Sequence, residues 1–122
     1  MPKPLPTPLA GEVWDAQFSP TVGVEQMGIR PALVLSSDWF NTLDNRLVVA
    51  APITGTDRRI RYQVAIAGHE GGLSKHSVIM CEQIRAMDRS RFLRKRGEVS
   101  PETLVEVRRI VAMIVGDDSP PQ

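Results

Sequence analysis

Apolar residues in this chain fall in short blocks separated by turn formers, and only the last block has a helical period. Val13, Trp14 and Phe18 lie in 12–18, ahead of Ser19 and Pro20, which reads as a first strand. Residues 21–29 mix two glycines with polar side chains at no usable period and read as a long exposed loop. The run Ala32-Leu33-Val34-Leu35 is too short for a helix and fits a strand buried on both faces, and 47–52 repeats its character. In 60–66 Ile60, Tyr62, Val64 and Ile66 alternate with Arg61, Gln63 and Ala65, the period of a half-buried strand. After the breakers Gly68, Gly71 and Gly72, segments 77–81 and 83–87 add two short extended pieces, so the strand signature runs to about residue 88.

The last element differs in kind. Ser100 and Pro101 form an N-cap and first-position pair, and Leu104, Val107, Val111 and Ile114 follow at helical spacing, which predicts a helix over 101–115. Such a helix needs a docking surface, because one of this length is marginal alone. Four prolines in 1–10 predict a flexible arm, and Gly116 followed by Pro120 and Pro121 predicts a fraying tail over 117–122. The pattern therefore gives one domain over 11–116: a mainly β, curled antiparallel barrel of five or six strands with a C-terminal helix, its function expected on loops.

Composition narrows the chemistry. At 122 residues the chain holds one core and no separate cofactor domain. The formal charge of +1 argues neither for nor against a polyanionic partner. A single cysteine, Cys81, excludes an internal disulfide, and no long apolar run suggests a leader or a membrane span, so a cytoplasmic protein is expected. Cys81, His69 and His76 lack the spacing of metal ligands, so neither a metal site nor a cofactor is expected.

What remains is arginine, carboxylate, hydroxyl and amide. Arginine outnumbers lysine twelve to three. Arg85, Arg89, Arg91, Arg94, Lys95 and Arg96 face one acid, Asp88, within 85–96, and Arg58, Arg59 and Arg61 form a second cluster. Each could be a solvated face, but two clusters in one small domain point toward phosphate and a nucleic-acid partner. Among the few aromatics, Phe18, Trp39, Phe40 and Phe92 are the candidates to stack on a base.

The order of motifs then resembles a family. Gly11-Glu12-Val13-Trp14, Glu25-Gln26-Met27-Gly28-Ile29-Arg30-Pro31 with the apolar strand after it, Ala51-Pro52-Ile53-Thr54, Cys81-Glu82-Gln83-Ile84-Arg85 and Ser100-Pro101-Glu102-Thr103-Leu104 are similar, in order and spacing, to the MazF/PemK (Kid) endoribonuclease toxins of type II toxin-antitoxin systems. The resemblance runs from Gly11 to about Val115. It implies an SH3-like barrel, a homodimer, an antitoxin partner, and metal-independent cleavage of single-stranded RNA at a short recognition sequence. Carried over residue by residue, it implies catalytic roles for Arg30, Thr54 and Glu25, with Gln26 and Gln83 near the substrate groove. The residues themselves add Phe18, Arg58 and Arg85 as substrate contacts. Val24 and Met80 stand where some members have a histidine and an arginine, so an acid-base assignment built on those members does not transfer.

The chemistry this implies is attack by the substrate's own 2′-hydroxyl on the adjacent phosphorus, with Arg30 stabilising charge and Thr54 donating a hydrogen bond. Arginine is a poor base. Glu25 is the expected base, Glu82 the next candidate, and His76 has a suitable ordinary pKa but no support in the family pattern. Two other readings stay open: a protein-binding toxin of the CcdB kind, against which the tail without aromatics counts, and a relative that binds RNA or antitoxin without cutting. Specificity is expected in the loops 19–29 and 54–60 and in the run 89–97.

Overall fold

The computed structural model describes residues 4–20, 22–25, 27–116 and 118. Among them, strands β1 (Glu12–Gln17), β2 (Ile29–Val34), β3 (Leu47–Thr54), β4 (Val64–Ile66), β5 (Ser77–Ile79), β6 (Arg85–Asp88) and β7 (Phe92–Glu98) form one sheet. A short helix α1 (Asp38–Asn41) lies between β2 and β3, and α2 (Pro101–Gly116) ends the unit. The strand order is β4-β5-β3-β2-β1-β7, with β6 also paired to β3, and every pairing is antiparallel. The path from β4 to β7 curls like a barrel without closing.

The curl buries both faces of the central strands. Along β2 and into Leu35, and along β3, side chains alternate between two clusters. Leu33, Leu35, Ala51 and Ile53 pack toward Val107 and Ile110 of α2. Ala32, Val34, Val48 and Ala50 pack with Phe18, Met87 and Phe92 on the opposite side. This is why 32–35 reads as an unbroken apolar run although its side chains alternate. Fully burying a Leu33 or a Phe18 is worth roughly 1.5–3 kcal/mol each, and both are at most 1% exposed.

Helix α2 begins where its cap predicts. The Ser100 hydroxyl accepts from the Thr103 N–H at 3.2 Å. The Glu70 carboxylate accepts from the Ser100 N–H and the Thr103 hydroxyl at 3.1 and 2.6 Å, tying the helix start to the 70–72 turn. Farther along, Arg108 donates twice to the Leu35 carbonyl, at 3.0 and 2.8 Å. The 70–72 turn presses on β7: a Cβ on Gly72, at φ +74°, would stand 2.0 Å from the Arg96 carbonyl oxygen. Only glycine fits there.

Three expectations change. The strand expected over 60–66 is only Val64–Ile66. The Gln63 N–H donates to the Ile60 carbonyl at 3.0 Å, closing a turn that leaves Ile60 and Tyr62 outside the strand. The strand signature does not stop at residue 88, because 92–98 is β7. Its Arg-Lys-Arg centre hid it, and cross-strand ion pairs to β1 are what hold those charges: Arg94 and Arg96 to Asp15, Lys95 to Glu12. Nor is the whole of 1–10 a free arm. Pro8 is fully buried, the Leu9 N–H donates to Glu12 at 2.8 Å and the Ala10 N–H to Asp38 at 2.8 Å, so the packed unit begins at Pro8. Of the tail expected over 117–122, only Asp118 is among the described residues.

No helix among the described residues is long and apolar enough to cross a membrane. Cys81 is buried, and desolvation pushes its thiol up to about 12, which keeps it protonated and unreactive.

Candidate functional site

The site grows from the register of two strands. Ala32 pairs Pro52, Leu33 pairs Ala51 and Val34 pairs Ala50. The pairing with β2 stops at Pro52, and Ile53 and Thr54 pair β5 instead; Arg30, near the start of β2, and Thr54, at the end of β3, line the same cleft. The Arg30 Nε donates to the Met27 carbonyl at 3.0 Å, so the 27–30 turn holds the guanidinium and leaves its terminal nitrogens without a partner among the described residues. The Thr54 hydroxyl accepts from the Thr56 N–H at 3.2 Å and keeps its own proton to donate.

Arg30 and Thr54 form the shared wall of two clefts. The larger, about 560 Å³, adds Arg58, Tyr62, Gln63, Glu82 and Gln83. The other, about 420 Å³, adds Gly55, Ser74, Lys75 and Arg96. A third space of about 420 Å³ adjoins the first across Val24, Tyr62, Glu82 and Gln83, and reaches Glu25, Phe18 and Arg85.

The predicted residues thus divide. Arg30, Thr54, Arg58 and Gln83 share the larger cleft, whereas Glu25, Phe18, Arg85 and again Gln83 line its neighbour. Gln26 lies outside the described residues. Glu25 is exposed and its carboxylate accepts from the Val22 N–H at 2.6 Å, closing its own loop. No ion pair joins it to Arg30 among the described residues, so the loop carboxylate and the β2 guanidinium are separate features. Arg85 is fixed rather than reaching: it donates to the Phe18 carbonyl at 3.1 Å and lies 5.9 Å over the Phe18 ring.

Phe18 requires correction as a base-stacking residue. It is 1% exposed and fills the cluster with Met87 and Phe92, where an aromatic contributes more as core than as platform. Phe92 is buried with it, and Trp39 stacks edge-on against Phe40 with ring centres 5.9 Å apart, away from the clefts. The aromatic that lines both the larger cleft and its Glu25-side neighbour is Tyr62, 38% exposed. Its signal was an aromatic within the Arg58-Arg59-Ile60-Arg61 run, and the apparent strand alternation masked it.

Glu82 is the second residue raised by the geometry. Its Oε2 accepts from the Gln63 side-chain amide at 2.7 Å, while its Oε1 is shielded from solvent with no hydrogen-bond partner. It is the carboxylate that shares a cleft with both Arg30 and Thr54. His76 is committed elsewhere, with Nε2 2.9 Å from Asp57, whose carboxyl the imidazole holds below its usual range.

The basic run 85–96 is mostly structural. Beyond the β7 pairs, Arg91 donates to the carbonyls of Gln17 and Ser19 at 2.9 and 2.6 Å, and Arg89 to the Thr7 hydroxyl at 3.1 Å. These cations fasten the sheet edge and the arm, and Arg96 of the same run also lines the second cleft. Arg58, exposed, lines the larger cleft.

The fold is that of a small curled antiparallel-sheet domain with one C-terminal helix, on which an arginine and a threonine line an open cleft. Residues 9–115 match the family described as PemK-like, MazF-like toxin of type II toxin-antitoxin system, and the chain belongs to that family. It is 36% identical over 108 residues, covering 87% of this chain and 89% of the relative, to a protein named Endoribonuclease MazF from Staphylococcus saprophyticus. Its fold superposes on the crystal structure of MazF from Deinococcus radiodurans with a TM-score of 0.80 at 33% identity, covering 90% of this chain and 97% of that one. A MazE-MazF complex from the same organism gives a TM-score of 0.75 at 32% identity, with the same coverage.

Proposed function

We propose that this toxin is a sequence-specific endoribonuclease that cuts single-stranded RNA, including cytoplasmic mRNA, without a metal ion. The observation that carries the reading is that Arg30 and Thr54 line one open cleft of about 560 Å³ together with Arg58 and Glu82.

The substrate's 2′-hydroxyl attacks the neighbouring phosphorus, and the P–O5′ bond breaks, leaving a 2′,3′-cyclic phosphate and a 5′-hydroxyl. Negative charge gathers on the non-bridging oxygens, where the Arg30 fork and the Thr54 hydroxyl donate. Of the two carboxylates, Glu82 lines the same cleft as that pair, whereas Glu25 lies in the neighbouring space and caps its own loop. Glu82 therefore takes the 2′-hydroxyl proton, and Gln63 holds it in place. Water admitted by the open cleft protonates the leaving 5′-oxygen. Tyr62 stacks on a base and Arg58 holds a phosphate, with Gln83 and Gln26 beside the strand and Arg85 backing the neighbouring space.

The active form is a homodimer, and a cognate antitoxin covers the RNA cleft. The related Deinococcus radiodurans MazF solved with MazE supports the second partner. Unpartnered apolar surface supports the first: Trp39 is 70% exposed beside a groove of about 300 Å³ that Leu35, Phe40, Val49 and Val111 line.

The test is digestion of a long single-stranded RNA in chelator by wild type and Arg30→Ala, with end mapping. Discrete cuts carrying cyclic phosphates, no cuts in matching DNA, and loss of cutting in the variant are expected. Intact RNA with retained antitoxin binding would instead identify a relative that binds without cutting.

A further inference from the structure

The cleft on the far side of the Arg30–Thr54 wall has a different character from the first. Glu82 lines the larger cleft, but no carboxylate lines this one among the described residues, and Lys75 stands on its floor. The Lys75 stem crosses directly over Gly55, the residue after Thr54: Cε and Nζ lie 2.7 and 2.8 Å from the point where a Gly55 Cβ would stand. At its other end the Lys75 backbone is seated against Gly68, 3.0–3.1 Å from where that Cβ would be. Its carbonyl accepts from the Ser77 hydroxyl at 3.0 Å. Two glycines therefore make room for one lysine and aim it along the backbone of the proposed catalytic threonine.

The ammonium is also uncommitted. Among the described residues Lys75 has no ion pair, while Arg96 in the same cleft is spent on Asp15 and on the Gly72 carbonyl. The acid nearest in sequence to Thr54, Asp57, is held by His76 and by the Arg59 N–H. An exposed lysine with no ion pair among the described residues, its stem laid over the residue after Thr54, is placed to meet a second anion.

Resting on the nuclease reading, we propose that this second cleft is a subsite for the phosphate flanking the scissile one, and that Lys75 is its ligand. A ribonucleotide strand then runs across the Arg30–Thr54 wall, with its reacting nucleotide on the Glu82 side and the adjacent phosphodiester on the Lys75 side. Lys75 positions the strand and takes no part in the bond changes. Gly55 is glycine because any side chain there would push the lysine off.

The test uses the full chain and an RNA oligonucleotide spanning a mapped cut, in cleavable form and with a single 2′-deoxy sugar at the scissile position. Lys75→Met keeps the stem and removes the charge. It is expected to weaken binding of the uncleavable RNA about 5- to 10-fold at low salt, to reduce the log–log salt slope by about 0.7, and to leave kcat at saturation within about twofold. Lys75→Arg restores binding. Gly55→Ala, whose methyl meets only the movable end of Lys75, keeps the melting temperature, weakens binding as Lys75→Met does, and adds nothing to it. An uncharged methylphosphonate at the flanking phosphate weakens wild-type binding and leaves Lys75→Met indifferent. Wild-type affinity and salt slope in Lys75→Met, or equal sensitivity of both proteins to the methylphosphonate, would overturn the subsite alone. A wild-type protein that neither binds nor cuts RNA would overturn the nuclease reading and the subsite with it.

Discussion

The Gln63 amide donates to one oxygen of Glu82 at 2.7 Å and leaves the other without a partner. One residue comes from the turn before β4 and the other from the turn before β6. Their pairing fixes the orientation of a carboxylate that stands in the same cleft as Arg30 and Thr54.

If Glu82 accepts the 2′-hydroxyl proton, Glu82→Gln lowers kcat by about 100-fold or more, within the usual range for a lost general base. Glu25→Gln keeps most of the rate. Single-turnover assays of both variants on a fluorescent RNA decide the matter, and a near wild-type rate in Glu82→Gln with a large loss in Glu25→Gln returns the role to Glu25.

Arg30→Ala lowers kcat by about 100- to 1,000-fold, the usual cost of removing a donor aimed at developing negative charge. Arg30→Lys recovers little of it, because a lysine cannot both hold the Met27 carbonyl through an Nε and present a fork to phosphate. Circular dichroism melts of both variants should match wild type, since Arg30 packs in neither core cluster.

Thr54→Val preserves shape and removes the hydroxyl. A hydrogen bond to a charged oxygen, worth about 1.5–3 kcal/mol, translates to roughly a 10- to 150-fold loss in kcat. An unchanged rate would remove Thr54 from the site.

Gly72→Ala tests the fold rather than the chemistry. Its methyl would meet backbone, the Arg96 carbonyl, at a φ that disfavours a side chain. A loss of about 2 kcal/mol or more in denaturant unfolding is expected.

Asp88 tests the electrostatics of the β3–β6 edge. Arg46 grips it through two hydrogen bonds of 2.9 Å, and Ser90 adds its N–H and hydroxyl, so its carboxyl is held well below the ordinary 3.8. A lowered folded-state pKa gives stability that is present above the unfolded value and lost as pH falls through the folded one. The stability gap between wild type and Asp88→Asn is therefore expected at about pH 6 and to close as the medium is acidified below 3.8. A gap that persists in strong acid would show that the contribution is not ionic.

The strands around Leu33 and Ala51 and the capped helix from Pro101 were legible because each depends on neighbours a few positions away: alternation, a turn former, an N-cap hydroxyl. The motif order also placed Arg30 and Thr54 in the chain. Strand β7 was not legible, since 92–98 is stabilised by carboxylates of β1, far away in sequence, and without them its Arg-Lys-Arg centre looks like a solvated loop. For the same reason the abundance of arginine misled. Charge clustering is a local property, but whether a guanidinium is free for a ligand depends on which acids and carbonyls the fold brings to it. Tertiary structure alone decided that Phe18 is core and Tyr62 faces the cleft, that Glu82 and not Glu25 shares a cavity with Arg30, and that Lys75 lies across Gly55. Local pattern determines which segments can be strand or helix, because backbone conformation answers to adjacent side chains. The register and curl of the sheet determine which side chains meet, because those contacts join residues that the sequence keeps far apart.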